Sequence, residues 1–229
     1  MLKEFLLDLV FPVYCQGCFT EGEYLCLACQ AKLEMPEGRC LVCSKGSFLG
    51  RIHPGCQSRG VTLDGLLVAA RYHDPAIRNL IWHFKYDSVK GASLVLSQIL
   101  ADFFVAQKLE EYFASSAVIP VPLHRRRFRE RGFNQAELLA EGFASRLGLE
   151  YLPILKRTKN SQSQVDLERG ERLENVKNLF AAPPRPSLGE RKIILVDDVA
   201  TTGATLNECA KELKKQSPSE IWGLVVARN

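Results

Sequence analysis

The sequence predicts an α/β protein: a domain on a parallel, Rossmann-like sheet over residues 61–229, preceded by a small metal-stabilised domain over residues 1–60. Three observations carry this. Strand-like apolar runs alternate with helix-period segments from Leu66 to Ala227, the pattern of βαβ units. The run Ile193-Ile194-Leu195-Val196 is continuously apolar, as a strand buried on both faces of a parallel sheet requires. Seven of the eight cysteines precede residue 57, a clustering that points to metal where no export signal is evident.

The chain opens on an apolar stretch, Met1 to Val13, that carries Glu4 and Asp8 and has no small-residue cleavage site before Cys15. It reads as an amphipathic helix, not a signal peptide. No run of about 18 apolar residues exists, so no membrane span is expected. The composition, 46% hydrophobic and 24% charged, is that of a soluble globular protein.

The cysteines then come as Cys15-x2-Cys18, Cys26-x2-Cys29, Cys40-x2-Cys43 and Cys56, with His53 where a fourth pair would place its first ligand. Each pair can offer two sulfurs to one tetrahedral zinc. Sequence order assigns Cys15, Cys18, Cys26 and Cys29 to one site and Cys40, Cys43, His53 and Cys56 to a second. An interleaved pairing and a set of redox thiols both stay open. Both zinc sites are expected to be structural, since protein fills every position and the segment is too short for a large core. The formal charge of +4 falls to about +1 when both sites are filled, so bulk charge is no argument for nucleic acid.

Leu66 to Tyr72 reads as a strand, broken by Asp74-Pro75, which starts a helix through Tyr86 with Ile77, Leu80, Ile81 and Phe84 on one face. Lys90 to Phe113 reads as a longer helix and Ala117 to Val121 as the next buried strand. Pro122-Leu123-His124 and then Arg125, Arg126, Arg127, Arg129 and Arg131 follow. Guanidinium forks match phosphate oxygens; the alternative is a solvated basic loop. Gly132 to Leu147 reads as a helix and Tyr151 to Leu155 as a strand. Residues 157–178 are polar, with mixed charge, and read as a closing loop over a site or as an exposed surface segment. Pro183, Pro184 and Pro186 mark a turn.

The stretch Lys192 to Leu206 organises the rest. Its apolar strand delivers Asp197 and Asp198, then a small-residue turn from Ala200 to Thr205, then a helix from Leu206 to Lys215 that holds Cys209 as a buried small hydrophobe. Free N–H groups at a helix start make an anion site, and Gly203 permits close backbone approach. Paired carboxylates accept hydrogen bonds from vicinal hydroxyls. A sugar bearing a 5′-phosphate fits both halves. Ile221 to Ala227 closes the sheet.

This string resembles the motif with which type I phosphoribosyltransferases bind 5-phosphoribosyl 1-pyrophosphate (PRPP). The resemblance implies that Asp197 and Asp198 hold the ribose hydroxyls, that Val196 leads into the motif, and that Thr201, Thr202, Gly203, Ala204 and Thr205 wrap the 5′-phosphate. It places the pyrophosphate loop at residues 122–126, without that loop's usual glycines, and the catalytic hood at 157–178. The full chain resembles the ComF family through its cysteine knuckles, Val121-Pro122-Leu123-His124, Glu130 to Ala136, Glu171-Arg172-x2-Asn175-Val176 and Val196 to Thr205. His53 and Asp166 depart from the common pattern. The family implies a cytoplasmic bacterial protein linked to incoming single-stranded DNA in natural transformation, with competence or DNA-processing proteins as partners.

Two functions follow. In the first, PRPP with Mg²⁺ donates phosphoribose to a nitrogen acceptor, with Asp197, Asp198, Arg125 and Arg126 as the catalytic set and the 157–172 loop, which begins with Arg157, joining the arginines on the pyrophosphate charge. In the second, the arginine run and the flanking Phe128 and Phe133 bind single-stranded DNA, and PRPP is regulatory or vestigial.

Overall fold

The computed structural model describes residues 12–86, 91–158, 179–184 and 188–229. The expected N-terminal helix falls almost wholly outside the described residues, as do the 157–178 segment from residue 159 onward and Pro186.

Five strands form an all-parallel sheet in the order β1-β7-β6-β2-β3. They are β1 (Gly65–Arg71), β2 (Ala117–Pro120), β3 (Glu150–Tyr151), β6 (Lys192–Ala200) and β7 (Glu220–Arg228). A short antiparallel ribbon pairs β4 (Lys156–Arg157) with β5 (Phe180–Ala181). Among the described residues after the cysteine-rich segment, whose own helices are single turns, the helices are α1 (Pro75–Tyr86), α2 (Ala92–Ala106), α3 (Arg125–Arg131), α4 (Gln135–Leu147) and α5 (Ala204–Lys214).

Alternation along β6 explains its unbroken apolar run. Ile194 and Val196 face a core built with α1, α2 and α4, through Ile77, Leu80, Phe84, Leu100, Leu139 and Phe143. Ile193 and Leu195 face a second core with Leu206, Cys209, Ala210 and Leu213 of α5. Neither face is wet, so neither tolerates a polar residue. Cys209 is fully buried there, as a small hydrophobe.

Several boundaries differ from the sequence expectation. The helix expected over 90–113 ends at Ala106; Lys108 then takes the left-handed conformation, and turns carry Leu109 and Phe113 back into the core. The helix expected from Gly132 starts at Gln135, because Asn134 accepts the Ala136 N–H and caps it. Gly132, at φ 77°, instead ends α3. The arginine run is therefore a helix and not a loop, helped by an Arg126–Glu130 pair at 2.9 Å. The strand expected over 151–155 stops at Tyr151, after which the Leu152 N–H donates to the Val118 carbonyl at 2.8 Å and Leu152, Ile154 and Leu155 stay buried. β6 runs through both acids to Ala200, and α5 begins at Ala204.

Residues 12–60 wrap the β1 edge. Arg51 bridges antiparallel to Gly65, and Ile52 N–H donates to the Asp64 carbonyl at 2.8 Å, which covers an otherwise open strand edge. Cys15 and Leu25 join the core on one face, whereas Cys40, Leu41, Ile52 and Cys56 join the other.

Candidate functional site

A cavity of about 520 Å³ opens at the C-terminal ends of β2 and β6. From β6 the chain crosses by α5 to β7, and from β2 by α4 to β3, on opposite faces and in opposite directions. The cavity therefore sits where the strand order diverges, the usual ligand crevice of an open α/β sheet.

Asp197 and Asp198 line its floor. Asp198 is buried, and its Oδ2 lies 2.9 Å from Lys85 Nζ; its Oδ1 accepts the Val199 N–H at 2.7 Å. Burial pushes the Lys85 pKa down, but Asp198, then Asp197, hold it above the ordinary lysine value. Asp197 Oδ1 accepts the Asp198 N–H at 2.9 Å. Burial and then the Asp198 charge push Asp197 up to about 7, against the pull of that N–H, Lys85 and Arg157. The pair thus has two environments: one carboxylate in an ion pair, the other poised to change charge near neutrality.

Lys85 escaped the sequence reading, although a signal existed. It stands four residues after Ile81, in line with the apolar stripe of α1, which sets it on the side of the helix that faces the core.

Thr201, Thr202, Gly203, Ala204 and Thr205 all line the cavity. Gly203 takes φ 73° and caps α5, and Thr202 Oγ1 accepts the Ala204 N–H at 3.3 Å. The start of α5, with its free N–H groups and dipole, therefore stands beside the acids. Val196 does not line the cavity. It is buried in the sheet, and its carbonyl accepts the Val121 N–H at 2.9 Å.

The arginines sort by helical period. Arg127 and Arg131, four apart on α3, are half-buried and line the cavity, whereas Arg125, Arg126 and Arg129 are exposed and do not. Arg125 and Arg126 are thus outside the lining, because a helix turns them away where a loop would have pointed them in. Arg131 donates to Gln135 Oε1 at 3.1 Å and lies over the Tyr86 ring at 5.5 Å. A third guanidinium comes from Arg157, which the β4–β5 ribbon brings in from far along the chain and which lies 5.6 Å from the Phe180 ring centroid. Burial and then Arg127 push the Arg157 pKa down. His124 caps α3 by accepting the Arg126 N–H on Nδ1 at 3.1 Å. Phe128 is exposed; Phe133 is buried against Phe84.

The cysteines gather in sequence order. Cys15, Cys18, Cys26 and Cys29 form one group and Cys40, Cys43, His53 and Cys56 another, each with its donor atoms within 4.8 Å of one another. Cys18 Sγ lies 3.7 Å from Cys26 Sγ, and Cys43 Sγ lies 3.3 Å from His53 Nδ1. Tetrahedral zinc with bonds of about 2.3 Å to sulfur and 2.0 Å to nitrogen sets edges of about 3.8 and 3.5 Å, so both donor sets fit zinc. Backbone N–H groups of Cys26 and Gly17 point at Cys15 Sγ at 3.3 and 3.4 Å, the knuckle arrangement that stabilises a thiolate. Against its burial, those N–H groups hold Cys15 down to about 6.

A model of the phosphoribosyl transferase domain matches residues 134–229. Competence protein F of Haemophilus influenzae is 33% identical over 223 residues, covering 94% of this chain and 96% of that protein. Competence protein ComFC of Bacillus subtilis is 29% identical over 218 residues, covering 90% and 85%. A solved adenine phosphoribosyltransferase of Saccharomyces cerevisiae is 18% identical, covers 58% of this chain and 68% of that one, and superposes with a TM-score of 0.38. Among the described residues, no helix is long and apolar enough to cross a membrane.

Proposed function

Because the chain belongs to the competence protein F family and carries a phosphoribosyl transferase domain, we propose that its cavity binds PRPP with Mg²⁺. The observation that carries this is the adjacency, at the sheet's switch point, of the Asp197–Asp198 pair and the Gly203-capped start of α5. Asp197 accepts from the ribose hydroxyls, and Asp198, held by Lys85, sets the floor. The 201–205 turn takes the 5′-phosphate. Arg127, Arg131 and Arg157 face the pyrophosphate, with Arg125 and Arg126 at the rim. Mg²⁺ offsets the remaining phosphate charge. Each cysteine cluster holds one structural zinc, and cysteines used as zinc ligands suit a reducing, cytoplasmic setting. Residues 1–60 act as the zinc-binding domain and 61–229 as the phosphoribosyltransferase-like domain. Phosphoribose transfer to a nitrogen acceptor is the activity this site is built to support.

The relatives' names add a link to DNA uptake. A second reading is favoured by one feature: α3 exposes Arg125, Arg126, Arg129 and Phe128 beside the cavity, a basic and aromatic face suited to single-stranded DNA.

Thermal unfolding with PRPP and Mg²⁺ tests the first reading. At about 100 times its dissociation constant the ligand adds about 2.7 kcal/mol. The shift is expected in the wild type and lost in Asp197→Asn, which leaves the Lys85–Asp198 pair intact. No shift in the wild type refutes PRPP binding. DNA affinity that falls steeply with salt and survives Asp197→Asn supports the second.

A further inference from the structure

The second cysteine cluster touches the phosphate turn directly. Leu41 lies between two ligands of that cluster, in Cys40-Leu41-Val42-Cys43, and is buried. A Cβ built on Gly203 would fall 2.6 Å from Leu41 Cδ2, 2.9 Å from Cδ1 and 3.2 Å from Cγ. The leucine side chain therefore occupies the space a side chain at 203 would need, pressed against the backbone that caps α5. Two further contacts join the same elements. Asn207, in the first turn of α5, accepts the Thr62 N–H at 2.7 Å and donates to the Gly60 carbonyl at 3.1 Å, just after the last ligand, Cys56. Arg228 Nη2, at the end of β7, reaches the Leu41 carbonyl at 3.5 Å. The first cluster lies against α1 instead, where a Cβ on Gly17 would lie 3.6 Å from Ala76 Cβ.

We propose that Leu41 is a positioning residue for the phosphate turn, and that the Cys40–Cys43 knuckle, closed at both ends by metal ligands, fixes the turn through it. This rests on the sugar-phosphate reading of the cavity. The reasoning is steric. A left-handed glycine at a helix start is free to move; the N–H groups bind an anion tightly only if they are already aimed. Leu41 removes that freedom from behind, on the side away from the ligand. The two conditions on residue 203 are then distinct: φ 73° favours a glycine for the backbone, and any Cβ there has to displace the buried Leu41 side chain.

The distinction gives the test. PRPP with Mg²⁺ is titrated calorimetrically into the wild type, Leu41→Ala, Leu41→Met, Gly203→Ala and the Leu41→Ala/Gly203→Ala double variant. Leu41→Ala is expected to weaken binding about tenfold, and Leu41→Met, which refills the contact, to restore most of it. Gly203→Ala alone is expected to weaken binding more than Leu41→Ala. The double variant should bind no worse than Gly203→Ala, so the two losses fall short of multiplying by about tenfold, the whole of the Leu41→Ala loss. Full recovery is not expected, because the φ strain of alanine remains. Amide exchange at 202–207 is followed in parallel and should quicken in Leu41→Ala. A wild type that binds PRPP, with losses that multiply and unchanged exchange, overturns the inference and leaves the sugar-phosphate reading standing. A wild type that does not bind overturns both.

Discussion

The ion pair beneath the cavity makes a quantitative prediction. Asp198→Asn keeps the shape of the side chain and removes its charge. Lys85 then remains at the cavity floor, largely buried, with its partner at 2.9 Å gone. Breaking a buried pair from one side costs about 3–5 kcal/mol. Two features favour the lower end: Lys85 keeps 21% side-chain exposure, and Asp197 still attracts it. The expected loss is about 3 kcal/mol at pH 7, or a Tm lower by roughly 6–12 °C for a chain of this size. The pH dependence carries a sign. In the wild type the Lys85 pKa is raised, so its stabilisation is fully present below the unfolded lysine value and is lost only as pH rises through the folded one. In the variant, burial acts with less opposition and Lys85 tends to shed its proton. The deficit should therefore be largest near neutrality and shrink toward pH 9 and above, where deprotonation costs little. Denaturant unfolding at pH 7 and pH 9 measures this. The Lys85→Met/Asp198→Asn double variant should regain most of the loss, because it removes the buried charge that Asp198→Asn alone leaves without its partner. A deficit under about 1 kcal/mol at pH 7, the range of an exposed pair, or one that grows toward pH 9, refutes the assignment.

Three further outcomes are expected. Asp197, held up at about 7, binds its proton more tightly in the folded chain, so its stabilising share is present at low pH and lost as pH rises through 7; hydroxyls donate to the carboxylate and not to the acid, so calorimetric PRPP affinity of the wild type should rise from pH 6 to 8. His124 must keep Nδ1 unprotonated to cap α3, and burial and then Arg157 lower its pKa; the cap is intact above the ordinary histidine value and lost as pH falls through the folded one, and His124→Ala should cost about 0.5–1 kcal/mol, read by amide exchange across α3 at pH 7 and pH 5. Elemental analysis should find two zinc ions per chain; a strong chelator should lower the Tm, and added zinc should restore it.

The central strand, the acid pair, the small-residue turn and the cysteine knuckles are legible in the sequence alone, because each is local, whereas the pairing of knuckles into two groups came from the fold. Period-2 burial, the α5 start and the Cys-x2-Cys knuckle are all encoded within a few positions of Ile193, Gly203 or Cys40. Which charged groups meet them is set by packing between distant elements. Lys85 reaches Asp198 because α1 packs on the sheet face that carries Val196, and a pairing across such a span leaves no mark in local pattern beyond one lysine on an apolar stripe. Arg127 and Arg131 face the cavity while Arg125 and Arg126 do not, a sorting that appears only once the run is known to be helical. Arg157 arrives by a two-residue ribbon too short for any period to reveal. Leu41 meets Gly203 because the second knuckle folds over the β1 edge onto the α5 face. Periodicity records which side of an element is dry; it does not record which other element will dry it.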